Sequence, residues 1–191
     1  MAEPQLRGYR AEDEDAVRGV VTAAFADDGT TVAVLVDDLR RTHARAEIVA
    51  EADGEVVGHV LLSRSWVDAR RALVEVLVLS PLSVAPAHQG GGVGTALVRA
   101  AIDEAARLGA PALFLEGSPD YYGRRGFEPA TARGFDRPSV RVPEPGFQVV
   151  VLDAHEEWMT GALVYCEPFW THDCVGLRDP ALGEIEQTFE S

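Results

Sequence analysis

One short run, Gln89-Gly90-Gly91-Gly92-Val93-Gly94-Thr95, carries the clearest chemical signal in the sequence. Four glycines in this run stand directly before a helical stripe made by Val93, Ala96, Leu97, Ala100, Ala101, Ala105 and Leu108. A helix that begins at such a turn presents unpaired backbone N–H groups and the positive end of its dipole. Glycines let a bulky anion approach that backbone, so a phosphate or pyrophosphate is its natural ligand. A purely structural turn would use the same glycines. All 17 basic residues are Arg, which removes the phosphate-binding Lys of a P-loop and any Schiff-base Lys. Thr95-Ala96 after Gly94 excludes a Walker A loop. Counting Gly92 and Gly94 as the first two glycines of a dinucleotide fingerprint, Leu97 occupies the place of the third. Cys166, His172 and Cys174 match no common zinc spacing and lack a fourth ligand, so no metal is expected.

Several elements must position this turn. Residues 5–9 read as a short first strand. Val17, Val20, Val21, Ala24 and Phe25 give residues 12–25 an apolar helical stripe, and Thr30 or Thr31 can cap a second helix running to Arg41. Asp53-Gly54 between two strand-like runs, 47–52 and 55–64, is a hairpin signal, because a type I′ turn needs positive φ at both central residues. Residues 74–84 read as a central strand with a break at Ser80-Pro81, where a bulge or a splayed edge is expected because Pro removes a ladder donor. On the helix after the glycines, Arg99, Asp103 and Arg107 are spaced for i,i+4 pairs. Short strands over 112–115 and 147–152 follow, with one or two helical turns over 120–125 between them. The segment 127–145 carries four prolines and reads mostly as loop. A further strand is expected over 162–165.

Two motifs together resemble a known family. Gln89-x-x-Gly92-x-Gly94 is similar to the pyrophosphate loop of the GNAT superfamily of acetyl-CoA-dependent N-acetyltransferases. Tyr121-Tyr122-Gly123-Arg124-Arg125-Gly126-Phe127 looks like the same family's Phe/Tyr-Tyr-x-x-x-Gly-Phe segment. The tail, with Gly161-Ala162-Leu163-Val164-Tyr165 and Pro168-Phe169, is similar to the YhbS-like branch. The resemblance implies an α/β fold whose mixed, mostly antiparallel central sheet is flanked by helices and splayed between its fourth and fifth strands. It implies acetyl-CoA as co-substrate, with its pyrophosphate on Gln89, Gly90, Gly91, Gly92, Val93, Gly94 and Thr95. Its pantetheine would lie along Leu82, Ser83 and Val84, where backbone groups freed by the break at Ser80-Pro81 could hydrogen-bond it.

The reaction implied is direct attack of a neutral primary amine on the thioester within one ternary complex. Tyr122 matches the family tyrosine that protonates the departing thiolate, and a phenol with a reference pKa of about 10 is protonated at neutral pH. Tyr121 reads as packing. The Glu that some members place on the fourth strand, eleven residues before the loop's Gln, is Val78 here. The base is therefore sought elsewhere: Glu116, at the end of the fifth strand, comes first and Glu75 second. His88 is expected to be exposed, and His59 reads as a satisfied strand residue.

The charge balance fits these readings. Net charge is −14, which argues against nucleic-acid binding, where neutralised phosphates supply much of the affinity. The same charge would suit a cationic acceptor such as a polyamine, an aminoglycoside or a basic peptide. No apolar run approaches the roughly 20 residues of a membrane span, and the N-terminus lacks the pattern of a signal peptide, so a reduced cytoplasmic setting is expected. The Arg, Ala, Val, Gly and Asp bias suggests a GC-rich bacterial genome. The expected organisation is one acetyltransferase domain over 5–153 and an extension over 154–191 that packs on it, completes it or pairs with a second subunit, a homodimer being preferred. The alternative function is a non-catalytic acyl-CoA-binding sensor on the same fold.

Overall fold

The computed structural model describes residues 4–189, and they group into two compact units. Residues up to Ser63 together with Leu79–Arg107 form the first; Arg64–Val78 and the chain from Leu108 onward form the second.

In the first unit, β1 (Gln5–Gly8), β2 (Ala44–Ala52) and β3 (Glu55–Ala69, up to Ser63) pair antiparallel in sequence order. Asp53 and Gly54 both take positive φ, 52° and 83°, as the expected hairpin turn requires. Helix α1 (Glu14–Ala24) buries Val17, Val20 and Val21, and α2 (Gly29–Thr42) buries Val32, Leu35, Val36 and Leu39. Helix α3 (Val93–Arg107) buries Val93, Leu97, Val98, Ala101 and Ala105. Each Leu or Val so buried contributes about 1.5–3 kcal/mol of hydrophobic free energy. Gly58 of β3 lets α3 approach, because a Cβ there would stand 2.9 Å from side-chain carbons of Val93 and Leu97. Arg107 pairs with Glu104 at 2.6 Å, one turn-neighbour short of the Asp103 expected from i,i+4 spacing.

Arg7 fastens this unit's first elements together. Its guanidinium grips Asp13 with two bonds, 2.6 and 2.8 Å, and Glu51 of β2 with a third of 2.9 Å. Asp13 also accepts from the Arg10 amide at 2.8 Å.

In the second unit, β4 (Leu73–Val84, up to Val78) pairs parallel with β5 (Ala112–Glu116). Antiparallel β8 (Phe147–Val151) follows β5 over its whole length, and β6 (Glu128–Pro129) follows β8. β9 (Gly161–Val164) pairs antiparallel with the end of β3 from Trp66 to Ala69, and β7 (Phe135–Asp136) pairs parallel with β9. Residues 154–189 thus belong to this unit and supply one of its strands. Phe114, Phe135 and Phe147 form its aromatic centre, with Phe114 edge-on to Phe135 at 4.9 Å and stacked on Phe147 at 5.8 Å.

The sheet is mixed and mostly antiparallel, as expected, and its parallel β4–β5 ladder covers only Leu77↔Leu113 and Val78↔Phe114. The break anticipated at Ser80-Pro81 is not an interruption of the strand: β4 runs on to Val84, and the Pro follows the end of the β5 pairing, where no donor toward β5 is required. Helices α4 (Pro119–Gly123), α5 (Glu167–Thr171) and α6 (Ala181–Phe189) complete the unit; the last two were not legible as helices. No helix among the described residues is long and apolar enough to cross a membrane.

Candidate active site

The glycine turn belongs to the first unit. The chain leaves β4 at Val84, the Ala85 amide donates to the Val57 carbonyl at 2.9 Å, and a short 3₁₀ turn over Pro86–His88 follows. Gln89 is extended, and its side-chain amide donates back to the Val84 carbonyl at 3.0 Å, bracing the turn against the strand it leaves. Gly90 and Gly92 take φ of 75° and 91°, a region that glycine enters without strain. A Cβ added at either would meet nothing within 4 Å, so the outer face of the turn is open to a bulky group. Val93 and Gly94 open α3, where amides have no carbonyl one turn back to bond. Of the strand residues expected to line the pantetheine, Leu82 and Val84 are half-buried and Ser83 is buried. The Val84 carbonyl already accepts from Gln89, so its bonding is partly committed. Thr95 is half-buried in the first turn of α3.

His59, also in this unit, is fully buried on β3, and its Nε2 stands 2.8 Å from a Glu47 carboxylate oxygen. Arg40 donates to both Glu47 oxygens, with bonds of 2.5–3.2 Å, and shares Oε1 with His59. This network ties α2 to β2 and β3.

The tyrosine motif belongs to the second unit. Ser118 caps α4 by accepting from the Tyr121 amide at 3.3 Å. Tyr121 lies edge-on to Tyr122 at 4.8 Å and carries the Arg125 guanidinium 3.5 Å above its ring. The Tyr122 ring fits against Gly117, where an added Cβ would stand 2.4 Å from it, and packs edge-on to Phe127 at 5.8 Å. Burial pushes the Tyr122 phenol well above its ordinary pKa, with neighbouring Tyr121 adding to the shift and Arg125 opposing it. The group is therefore a protonated donor throughout the neutral range.

Glu116 ends β5 and turns into a cavity of about 470 Å³. One carboxylate oxygen accepts from the Gly176 amide at 2.9 Å, and Tyr165 hydrogen-bonds the same group. The other oxygen, Oε1, is buried with no partner among the described residues. Burial raises the carboxyl pKa, while Tyr165, the Gly176 amide and the charge of Arg141 pull it back. Glu75, the other candidate base, is exposed beside Arg64 at 4.0 Å. Val78 is buried in β4. Among the described residues no His, Cys, Asp and Glu side chains cluster in a way that could hold a metal ion.

Sequence reasoning missed Tyr165, Gly176 and the cavity walls. These come from parts of the chain far from Glu116 in sequence. Leu182, Ile185 and Phe189 of α6 do repeat at helical spacing, a signal that could have marked that helix.

A model of the acetyltransferase (GNAT) family matches residues 3–127, well over half of the chain. The chain belongs to the GNAT family. It is 33% identical over 162 residues to YjhQ of Escherichia coli K12, an uncharacterized N-acetyltransferase, a match covering 82% of this chain and 88% of that one. Among solved structures, YhbS of Escherichia coli, a GNAT N-acetyltransferase in complex with CoA, superposes with a TM-score of 0.78 at 26% identity, covering 88% of this chain and 93% of that chain. A GNAT acetyltransferase of Brucella melitensis in complex with acetyl-CoA gives 0.71 at 28%, covering 88% and 99%. This GNAT protein is thus an acyltransferase of the N-acetyltransferase class, and both the glycine turn and the tyrosine motif fall inside the matched residues.

Proposed function

We propose that this GNAT enzyme transfers the acetyl group of acetyl-CoA to a primary amine by direct attack in a ternary complex. The observation that carries the reading is the 89–95 turn: two left-handed glycines, an open outer face and a helix N-terminus, which together would offer amides to the CoA pyrophosphate. The CoA and acetyl-CoA held by the two structural relatives support it. Leu82, Ser83 and Val84 would run beside the pantetheine.

The amine enters as an ammonium, and Glu116 takes one proton from it. The neutral nitrogen attacks the thioester carbon, forming the C–N bond and a tetrahedral oxyanion. The C–S bond then breaks. Tyr122 donates to the departing sulfur, giving CoA thiol, and the second proton released by nitrogen restores the phenol. The raised phenol pKa means that tyrosinate does not accumulate. Cys166 offers no competing covalent route, because burial pushes its thiol up to about 11 and the thiolate is the nucleophile.

The test is a panel of primary amines incubated with acetyl-CoA, with free thiol and acetylated amine both measured by mass. Equal amounts of the two products are expected with at least one amine. CoA binding without transfer to any amine would overturn the reading in favour of an acyl-CoA-binding module.

A further inference from the structure

We infer that the cavity at Glu116 is the acceptor site, and that it is built for a small amine carrying one positive charge on an apolar body. The inference rests on the acetyl-transfer reading for the identity of the reaction, but the selectivity is argued from the cavity itself. Its volume, about 470 Å³, lies in the roughly 300–1,000 Å³ range of small-molecule sites.

The Glu116 carboxylate is the cavity's buried polar group, while Ser118 and Asp120 line it from exposed positions. Glu116 is fixed there by the Gly176 amide and Tyr165, leaving Oε1 buried and unpartnered among the described residues. A buried acceptor without a donor is costly, and a ligand N–H would satisfy Oε1 once the carboxylate turns it toward the cavity, since in place it has almost no accessible surface. The apolar part of the wall is formed by Val142, Pro143, Leu177, Ile185 and Phe189. Ile185 and Phe189 are 39% and 42% exposed on a helix that buries none of its residues, so their apolar surface still has area to cover. Gly117, beside Glu116, lines the same cavity and carries the Tyr122 ring against it.

Charge chemistry sets the selectivity. A polyamine or aminoglycoside would bring a second ammonium against Val142, Leu177 and Ile185, and an unpaired charge there is strongly disfavoured. Asp120 lines the cavity but is exposed, so a cation beside it remains in water. An alkyl or arylalkyl amine escapes that penalty and covers the apolar wall.

The experiment is calorimetric titration of the full-length protein with hexylamine, phenethylamine, methylamine and spermidine. Hexylamine and phenethylamine should bind at least about tenfold more tightly than methylamine or spermidine, the scale on which an apolar pocket discriminates. Phe189→Ala and Ile185→Ala should each weaken hexylamine several-fold and leave methylamine unchanged; circular dichroism checks that the fold is kept. Glu116→Gln should weaken every amine. Spermidine binding as tightly as hexylamine, failure of all four amines to bind, or wall variants that leave hexylamine unaffected would overturn the assignment. Because binding is read directly, amines that bind here without being acetylated would sink the proposed reaction alone, whereas acetylation insensitive to the wall variants would sink the cavity assignment alone.

Discussion

At the scale of single residues, the account turns on two protons. Tyr122→Phe keeps the ring against Gly117 and Phe127, so CoA affinity should change little. It removes the donor to sulfur, and turnover at neutral pH should fall roughly 10²–10⁴-fold, the usual worth of a positioned acid. A thiol with a pKa of about 8.5 leaves more readily unaided as pH rises, so the deficit should shrink in alkaline buffer, which a packing defect would not do. Turnover against pH for both proteins measures this. Glu116 titrates on the other side. Its carboxyl is raised by burial, and the groups facing it are the Tyr165 phenol, the Gly176 amide and Arg141. A base works deprotonated, so kcat/KM should decline as pH falls through this raised value, above the ordinary glutamate range. In Glu116→Gln that acid limb should disappear together with most of the activity; an unchanged limb would assign it to another group. Tyr122 was legible because motif spacing alone singles it out. Tyr165 and Gly176 were not, because their meeting with Glu116 depends on residues separated by about half of the second unit's chain, and no local pattern encodes that.

Elements position these groups, and each tests separately. Gly92 takes φ 91° at the head of α3, where a β-branched residue is strained and would also stand in the path of a pyrophosphate. Gly92→Val should weaken CoA binding at least tenfold by calorimetry while the protein remains folded; unaltered affinity would remove the turn from the CoA site. Farther from the chemistry, Arg7 and Asp13 join β1, β2 and the start of α1. The Arg7 guanidinium, helped by the Arg10 amide, lowers the Asp13 pKa from 3.8 to about 2. A depressed carboxylate stabilises the fold above its unfolded value, and that contribution is lost as pH falls from about 3.8 toward 2. Asp13→Asn should therefore cost about 2 kcal/mol at neutral pH, and the difference from the parent should narrow in acid; urea midpoints at the two pH values check it. Most elements were readable from periodicity and turn chemistry: α1, the Asp53-Gly54 hairpin, α3 and β5 lie where patterns place them. The continuity of β4 through Pro81 was not, because whether a Pro breaks a strand depends on which neighbour needs its missing donor. Helix α5 was hidden by its shortness, whereas α6, which buries none of its residues, carried a helical repeat at Leu182, Ile185 and Phe189 that went unread.

For the whole molecule, the proposed reaction passes acetyl straight from acetyl-CoA to an amine with no acetylated protein between them. Neither cysteine is in a disulfide; Cys166 is buried with its thiol held at about 11, and no Lys exists to be acetylated in its place. The net charge of −14 will help draw cations toward the surface, though only the cavity decides which of them react. The direct measurement is rapid quenching of the protein with acetyl-labelled acetyl-CoA, with and without an accepted amine. Label should remain on CoA when amine is absent, and should move to the amine in step with thiol release when it is present, with none on the protein at any time. Label on the protein that forms without amine and is then discharged to it at the rate of turnover would contradict the account.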